Sequence, residues 1–142
     1  MKNFSKIKFN PQQKKILEEL GVSLVYVFGS QVDGTANILS DIDLGVVFAQ
    51  EVNYRADKKE RYVKLFDLFT DIFSDYRKVD LIFLQETPLT LQYRAACSGQ
   101  VIYRQDPSRR QEFDYKEYVM KRHADTEYFR KQRYQAILER ID

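Results

Sequence analysis

Two apolar segments separated by a short polar stretch constrain the fold of this chain more than any other feature. The first segment, 23–28, ends at Gly29-Ser30, and the second carries Asp41 and Asp43 within an otherwise apolar run. After Ser23, apolar side chains occupy both faces of the first segment, which indicates a central strand of a sheet, buried on both faces. The polar stretch is therefore expected to begin where a buried strand ends.

The two aspartates of the second segment are unusual residues for a core strand. Successive side chains on a strand point to opposite faces, so Asp41 and Asp43 share one face, with Cα atoms about 6.6 Å apart. Two anions this close repel, and one would be driven to bind a proton unless a cation lay between them. Because the ligands are all oxygens, the pattern favours bound Mg²⁺.

The Gly29-Ser30 turn is the second candidate site. A glycine directly after a strand allows backbone N–H groups to approach a phosphate, and the start of a following helix favours an anion. The sequence thus indicates a phosphate-binding turn beside a metal-binding pair of carboxylates.

Together these residues resemble a known protein family. Gly29-Ser30, ten further residues and Asp41-x-Asp43 are similar to the Gly-Ser-x10-Asp-x-Asp signature of nucleotidyltransferases related to DNA polymerase beta. The greatest likeness is to the minimal nucleotidyltransferases, the MNT antitoxins encoded beside HEPN-domain toxins. The resemblance implies an α/β (α+β) fold with a small mixed sheet flanked by helices, and it covers most of residues 10–104.

The resembling family supplies a third carboxylate from a later strand. Asp80 matches in residue type and context, because it lies at the start of the predicted strand 78–84 on the same face as two apolar residues. The resemblance implies that Asp41, Asp43 and Asp80 hold two Mg²⁺ ions and that the Gly-Ser turn holds the phosphates of ATP. These three aspartates with the turn form the predicted catalytic site.

The resemblance also implies an activity and a partner. The expected reaction is Mg²⁺-dependent transfer of AMP from ATP to a hydroxyl, chiefly of a tyrosine, on a cognate HEPN ribonuclease toxin, with which the chain would form a hetero-oligomer. Relatives that modify small drugs carry a further substrate domain, and this chain is expected to be too short for one. Two alternatives stay open: an antitoxin that neutralises its partner by binding alone, and a nucleotidyltransferase that acts on a small molecule.

Hydrophobic periodicity organises the rest of the chain. It predicts helices over 11–20, 54–74, 88–98 and almost all of 106–142, with a break near 123–126, and an edge strand over 101–103. We expect a nucleotidyltransferase core of residues 1–104 and a C-terminal helical extension of residues 105–142. The extension holds more apolar residues than one small core absorbs, so part of it is expected to form a partner surface.

Several side chains are assigned to the core or the surface by their spacing. In the second helix the apolar residues are predicted to be core, namely Tyr62, Leu65, Phe66, Phe69, Ile72 and Phe73. The basic residues between them are predicted to be solvated, namely Lys58, Lys59, Arg61 and Lys64. Cys97, beside two alanines, is expected to pack as a small residue. Arg94 is expected to be a surface residue rather than a triphosphate ligand.

Composition excludes several other classes of protein. The chain has 142 residues, enough for one domain with a core, and 23 basic against 21 acidic residues give a net charge of only +2. Direct nucleic-acid binding is therefore not expected. A single cysteine excludes an internal disulfide and fits a reducing cytosol. No apolar run approaches the roughly 20 residues of a membrane span, so we expect a soluble, cytoplasmic protein.

Overall fold

The computed structural model describes residues 7–29, 41–75 and 78–141. In chain order the elements are α1 (Pro11–Glu19), β1 (Val22–Phe28), β2 (Ile42–Phe48), a 3-10 turn (Tyr54–Asp57), α2 (Lys58–Ile72), β3 (Val79–Phe83), a 3-10 turn (Leu84–Glu86), α3 (Leu89–Ser98), β4 (Gln100–Arg104) and α4 (Arg110–Ile141). A mixed sheet with flanking helices confirms the predicted α+β class.

The sheet has the strand order β3-β2-β1-β4. Strand β1 is antiparallel to both of its neighbours, whereas β2 and β3 are parallel. A parallel pair needs a crossover connection, and α2 lies in the segment that provides it. The interior position of β1 and the edge position of β4 are as predicted.

Each face of the sheet packs against its own pair of helices. The side chains of Val25, Ile42 and Leu44 belong to a large core that includes residues of α1 and α2. Leu24, Tyr26 and Phe28 belong to a smaller cluster with residues of α3 and α4. The predicted alternation of side chains along both strands is therefore confirmed, and the second face is the one that carries the aspartates.

Helix α1 begins as its sequence dictates. The side chain of Asn10 accepts a hydrogen bond from the Gln13 backbone N–H at 2.8 Å, and the Gln13 side chain accepts one from the Asn10 N–H at 2.9 Å. This reciprocal cap satisfies two of the donors that a helix start leaves unpaired, and Pro11 needs none. Leu17 then anchors the helix in the core.

The predicted core face of α2 is only partly correct. Leu65, Phe69 and Phe73 are buried, and Ile72 packs against them. Tyr62 and Phe66 are instead 38% and 37% exposed, and their rings stack with centroids 6.1 Å apart. Tyr62 lies against Phe83 of β3, with ring centroids 5.8 Å apart, and β3 is the edge strand of the sheet that the described residues form.

Arg61 was wrongly predicted to be solvated. Its side chain is only 15% exposed and forms an ion pair with Asp57. Its guanidinium also donates a hydrogen bond to the backbone carbonyl of Leu20, which is left without a helical partner at the end of α1. The arginine therefore joins α2 to α1, a role that the spacing of residues in α2 alone does not reveal.

Two further predictions in the C-terminal part are wrong. Cys97 is exposed, although Ala95 and Ala96 before it are buried, because each residue of a helix is rotated by about 100° from the last. Helix α4 also continues without a break through 123–126. Within this stretch the hydroxyl of Thr126 donates to the carbonyl of Arg122 at 2.9 Å, so its polar side chain is accommodated inside the helix.

Helix α4 packs on the body of the protein along its first half only. Val119 is fully buried, and the ring of His123 stacks on Tyr93 of α3 with centroids 3.8 Å apart. From Ala124 to Ile141 every residue is exposed. In the described parts of the chain, no helix combines the length and apolarity needed to cross a bilayer.

Candidate functional site

The strand registers bring two of the predicted site residues together. Asp43 is the partner of Phe28 across the β1–β2 pair and of Asp80 across the β2–β3 pair. Directly paired residues of adjacent strands point to the same face, so both carboxylates lie on the face covered by α3 and α4. Asp41 precedes β2 by one residue, and its charge acts on Asp43.

Gly29 closes the other side of this cluster. It follows β1 directly and has a φ of +79°, a conformation that is costly for residues with a β-carbon. A β-carbon at this position would also overlap the Oδ2 atom of Asp43. Backbone conformation and close approach therefore both require glycine here, which places the main chain of the turn against the carboxylate.

The cluster raises the pKa of Asp43. Burial of the carboxyl group is the largest cause, followed by the negative charges of Asp80 and Asp41 and a hydrogen bond with the Asp80 side chain. The positive charge of Arg94 opposes these effects. A raised carboxyl pKa of this kind indicates that the acidic cluster has too little positive charge nearby to compensate its negative charges.

Two cationic side chains are associated with the cluster. Lys78, just before β3, places its Nζ 3.2 Å from Oδ1 of Asp80, and the two side chains are 65% and 39% exposed. Arg94 is exposed on α3 and acts on Asp43. Arg94 is thus both a surface residue, as predicted, and a neighbour of the site. Lys78 was not singled out from the sequence, although its spacing of two residues from Asp80 indicates the same face of a strand.

The donor set suits Mg²⁺ better than a softer ion, because only carboxylate oxygens are present. A divalent cation would also offset the repulsion that raises the pKa of Asp43. Over the described ranges, however, no three His, Cys, Asp or Glu side chains form a ready cluster for an ion. The residues present therefore fit the ion in chemistry, and their side chains would have to turn toward it on binding.

The structure thus brings Gly29, Asp43 and Asp80 together and places Asp41 beside them. Ser30 lies outside the described residues, as does the remainder of the polar stretch up to residue 40. The catalytic and metal-binding roles of these five residues stay predictions.

Comparison with known proteins agrees with this architecture. A family model described as polymerase beta, nucleotidyltransferase matches residues 12–108. No curated protein matches the chain. Among solved structures, a toxin–antitoxin complex with AMP-PNP matches with a TM-score of 0.59 and 21% identity, over 91% of this chain and 99% of that chain.

Two further solved structures are similar. A complex of a tri-AMPylated HEPN toxin from Shewanella oneidensis with an MNT antitoxin gives a TM-score of 0.57 and 19% identity, over 87% of this chain and 91% of that chain. The toxin–antitoxin complex MntA–HepT gives a TM-score of 0.54 and 18% identity, over 87% of this chain and 92% of that chain. At these identities the likeness shows a shared fold.

Proposed function

Because the chain belongs to the polymerase beta nucleotidyltransferase family, we propose that it is an antitoxin that transfers AMP from ATP to a hydroxyl group of a HEPN toxin. The observation that carries this proposal is the pairing of Asp43 with Asp80 beside the tightly packed Gly29. Similar folds occur in complexes that contain AMP-PNP or an AMPylated HEPN toxin, which supports this choice of nucleotide and acceptor.

Asp41, Asp43 and Asp80 are the residues that would hold Mg²⁺, as two ions. When bound, Mg²⁺ would offset the negative charge that develops on the attacking and leaving oxygens. Gly29 and Ser30 would hold the phosphates of ATP. The glycine leaves the backbone open to close approach, and the serine would add a hydroxyl donor.

The proposed reaction is an in-line displacement at phosphorus. The oxygen of the acceptor hydroxyl forms a bond to the α-phosphorus of ATP, the bond between this phosphorus and the bridging α–β oxygen breaks, and pyrophosphate leaves with the bonding electrons. Asp80 would take the hydroxyl proton, because its side chain is 39% exposed and so can be reached by an acceptor from solvent. Lys78, at 3.2 Å, would hold this carboxylate in place before the acceptor arrives.

We further propose that the C-terminal extension, residues 105–142, presents a binding surface to the toxin. Tyr134, Ile137, Leu138 and Ile141 have the i, i+3, i+4, i+7 spacing of one helix face, and they are 44–74% exposed. Eighteen residues make five helical turns, so Ile137 and Ile141 lie in line with Val119 and His123, which pack on the body. The apolar face therefore continues about 27 Å beyond the part that the protein itself covers.

Catalysis can be tested by measuring the intact mass of a candidate HEPN toxin after incubation with this protein, ATP and Mg²⁺. We expect the toxin to gain one or more AMP units, and to gain none with the Asp41→Asn variant. Asp71→Asn, which changes an exposed carboxylate on α2, outside the proposed toxin-binding extension, is the matched control and should leave the transfer intact. Equal labelling by the Asp41→Asn and parent proteins would rule out the proposed site.

Neutralisation by binding alone is the second candidate function, and the exposed apolar face of α4 favours it. It predicts that the toxin remains inhibited when Asp41, Asp43 and Asp80 are all replaced by Asn. Ile137→Asp should instead weaken the complex in a pull-down or titration. Because Ile137 is 48% exposed in a part of α4 whose described residues are all exposed, the melting temperature should barely change. Turnover of ATP with a small-molecule acceptor and no toxin would favour the third possibility, an enzyme of free substrates.

A further inference from the structure

A polar cavity of about 540 Å³ lies between β4, the beginning of α4 and the end of α3. None of the three site aspartates lines it, so it is separate from the proposed catalytic site. Its volume falls within the range of small-molecule pockets. Three basic side chains, Arg104, Arg109 and Lys116, and one acidic side chain, Glu112, face it.

Tyr26 of β1 is among the residues that line this cavity. Tyr26 is only 1% exposed, and its hydroxyl oxygen has no hydrogen-bond partner within the described ranges. The charges that act on this phenol belong to Glu112, Arg104 and Cys97, all of which line the cavity. A buried hydroxyl without a partner is costly unless a ligand or water bonds to it, and Tyr26 lines a cavity in which a ligand could supply that bond.

The cavity also has an excess of positive charge. Arg104 donates to both carboxylate oxygens of Glu112, at 2.5 Å from Nε and 3.3 Å from a guanidinium NH₂ group, so these two charges compensate each other. Neither Arg109 nor Lys116 forms an ion pair with an acidic residue that the structure describes. Two cations thus remain to attract an anion, and Tyr26, which lines the same cavity, carries a hydroxyl that can donate a hydrogen bond.

An exposed aromatic ring lies between these cations in the sequence. Phe113 is 61% exposed and lines the cavity, and Arg109 and Lys116 are four residues before it and three residues after it. Lys116 shares one side of α4 with Phe113, whereas Arg109 directly precedes the helix with a φ of +66°. Because all three line the cavity, the ring is available to a planar group whose anionic end contacts the cations.

We propose that this cavity is a second ligand site, for a phosphate-bearing compound with a planar body such as a mononucleotide. Arg109 and Lys116 pair with the phosphate, Phe113 contacts the planar body, and the hydroxyl of Tyr26 bonds to a polar atom of the ligand. This site is independent of the proposed transfer reaction.

Cys97 provides a direct probe, since it is the single cysteine of the chain, is exposed and lines the cavity. We would measure its rate of alkylation by iodoacetamide, from intact mass, while AMP or inorganic phosphate is titrated. The Asp41→Asn/Asp43→Asn protein in EDTA is used, so that metal-dependent nucleotide binding at the catalytic site does not contribute. Saturable slowing by AMP is expected. Equal slowing by phosphate would refute the contact between Phe113 and a planar body, and no slowing by either compound at millimolar concentrations would overturn the site.

Variants identify the contacts. Arg109→Ala and Lys116→Ala should each weaken protection by about ten-fold, as expected for hydrogen bonds to charged groups, and Tyr26→Phe by about five-fold. Arg110→Ala is the matched control, because Arg110 is exposed, pairs with Asp114 at 3.9 Å and does not line the cavity. Thermal melting of each variant checks that it is folded. The proposal would be overturned if Arg110→Ala weakened the protection of Cys97 as much as Arg109→Ala does. It would also be overturned if neither Tyr26→Phe nor Arg109→Ala changed the affinity for AMP.

Discussion

Replacing Asp43 by Asn should stabilise the metal-free protein while abolishing transfer of AMP. The pKa of Asp43 is raised by burial and by the charges of Asp80 and Asp41, so its ionised form is disfavoured in the folded state. Asn keeps the shape of the side chain and removes the charge. Stability and activity should therefore change in opposite directions at one position.

The size of the gain follows from the sheet geometry. Adjacent strands are about 4.8 Å apart, and two unit charges at this distance repel by about 0.9 kcal/mol in water and about 3.5 kcal/mol at an effective dielectric constant of 20. Because Asp43 and Asp80 are both partly exposed, solvent screens their repulsion, and we expect a gain of about 1 kcal/mol, near the lower value. For a chain of 142 residues this raises the melting temperature by about 3 °C.

The pH dependence gives the same prediction a second readout. A carboxyl group whose pKa is raised on folding stabilises the protein below its unfolded pKa, and this stabilisation is lost as pH rises through the folded pKa. The parent protein in EDTA should therefore lose stability as pH rises from about 4, near the ordinary pKa of aspartate, through the raised pKa of Asp43. The Asp43→Asn variant should lose less over that interval.

Thermal melting in EDTA at several pH values, with Asp125→Asn as the control for loss of an exposed carboxylate, measures the effect. A lower melting temperature for Asp43→Asn than for the parent protein at neutral pH would refute the reasoning. It would mean that Asp43 is stabilised as an anion, and the acidic cluster would then have no deficit of positive charge.

The remaining predictions concern the turn, the nucleotide and the packing of α4. Gly29→Ala should lower the free energy of unfolding by about 1–2 kcal/mol because of its positive φ alone. It should also abolish transfer, because the added β-carbon would displace the Asp43 carboxylate. A melting temperature and a labelling yield that both equal those of the parent protein would exclude this close packing. Mg²⁺ with ATP should raise the melting temperature of the parent protein but not of Asp41→Asn/Asp43→Asn, and an equal rise in both would count against the site. Tyr115→Phe should cost about 1 kcal/mol, because its hydroxyl donates to Gln92 at 3.0 Å, and an unchanged denaturation midpoint would show that the bond contributes nothing.

Much of the fold could be predicted because local patterns and tertiary packing agree. The alternation of side chains in β1 and β2 identified the two faces, and the cap at Asn10 identified the start of α1. The placement of Asp80 opposite Asp43 required the family resemblance, since a pattern within one strand does not specify the register with another.

The predictions that are wrong depend on contacts between distant segments. Arg61 is mostly covered because the end of α1 presents a free carbonyl to it, and Tyr62 is exposed beside β3, the edge strand among the described residues. Helical periodicity reports that a residue faces inward, but it does not report how far the covered surface extends. The same limit explains why Cys97 was misplaced by one position around α3.

The parallel register of β2 and β3 has a consequence for how the protein would acquire the proposed activity. Asp43 and Asp80 are separated by thirty-six intervening residues, and they meet only after the crossover through α2 has been completed. A chain still emerging from the ribosome would thus remain inert until its third strand had docked. A shift of β3 by one residue would place an aliphatic side chain opposite Asp43 instead of Asp80. The two carboxylates would therefore come together only when β3 docks in its correct register, late in folding.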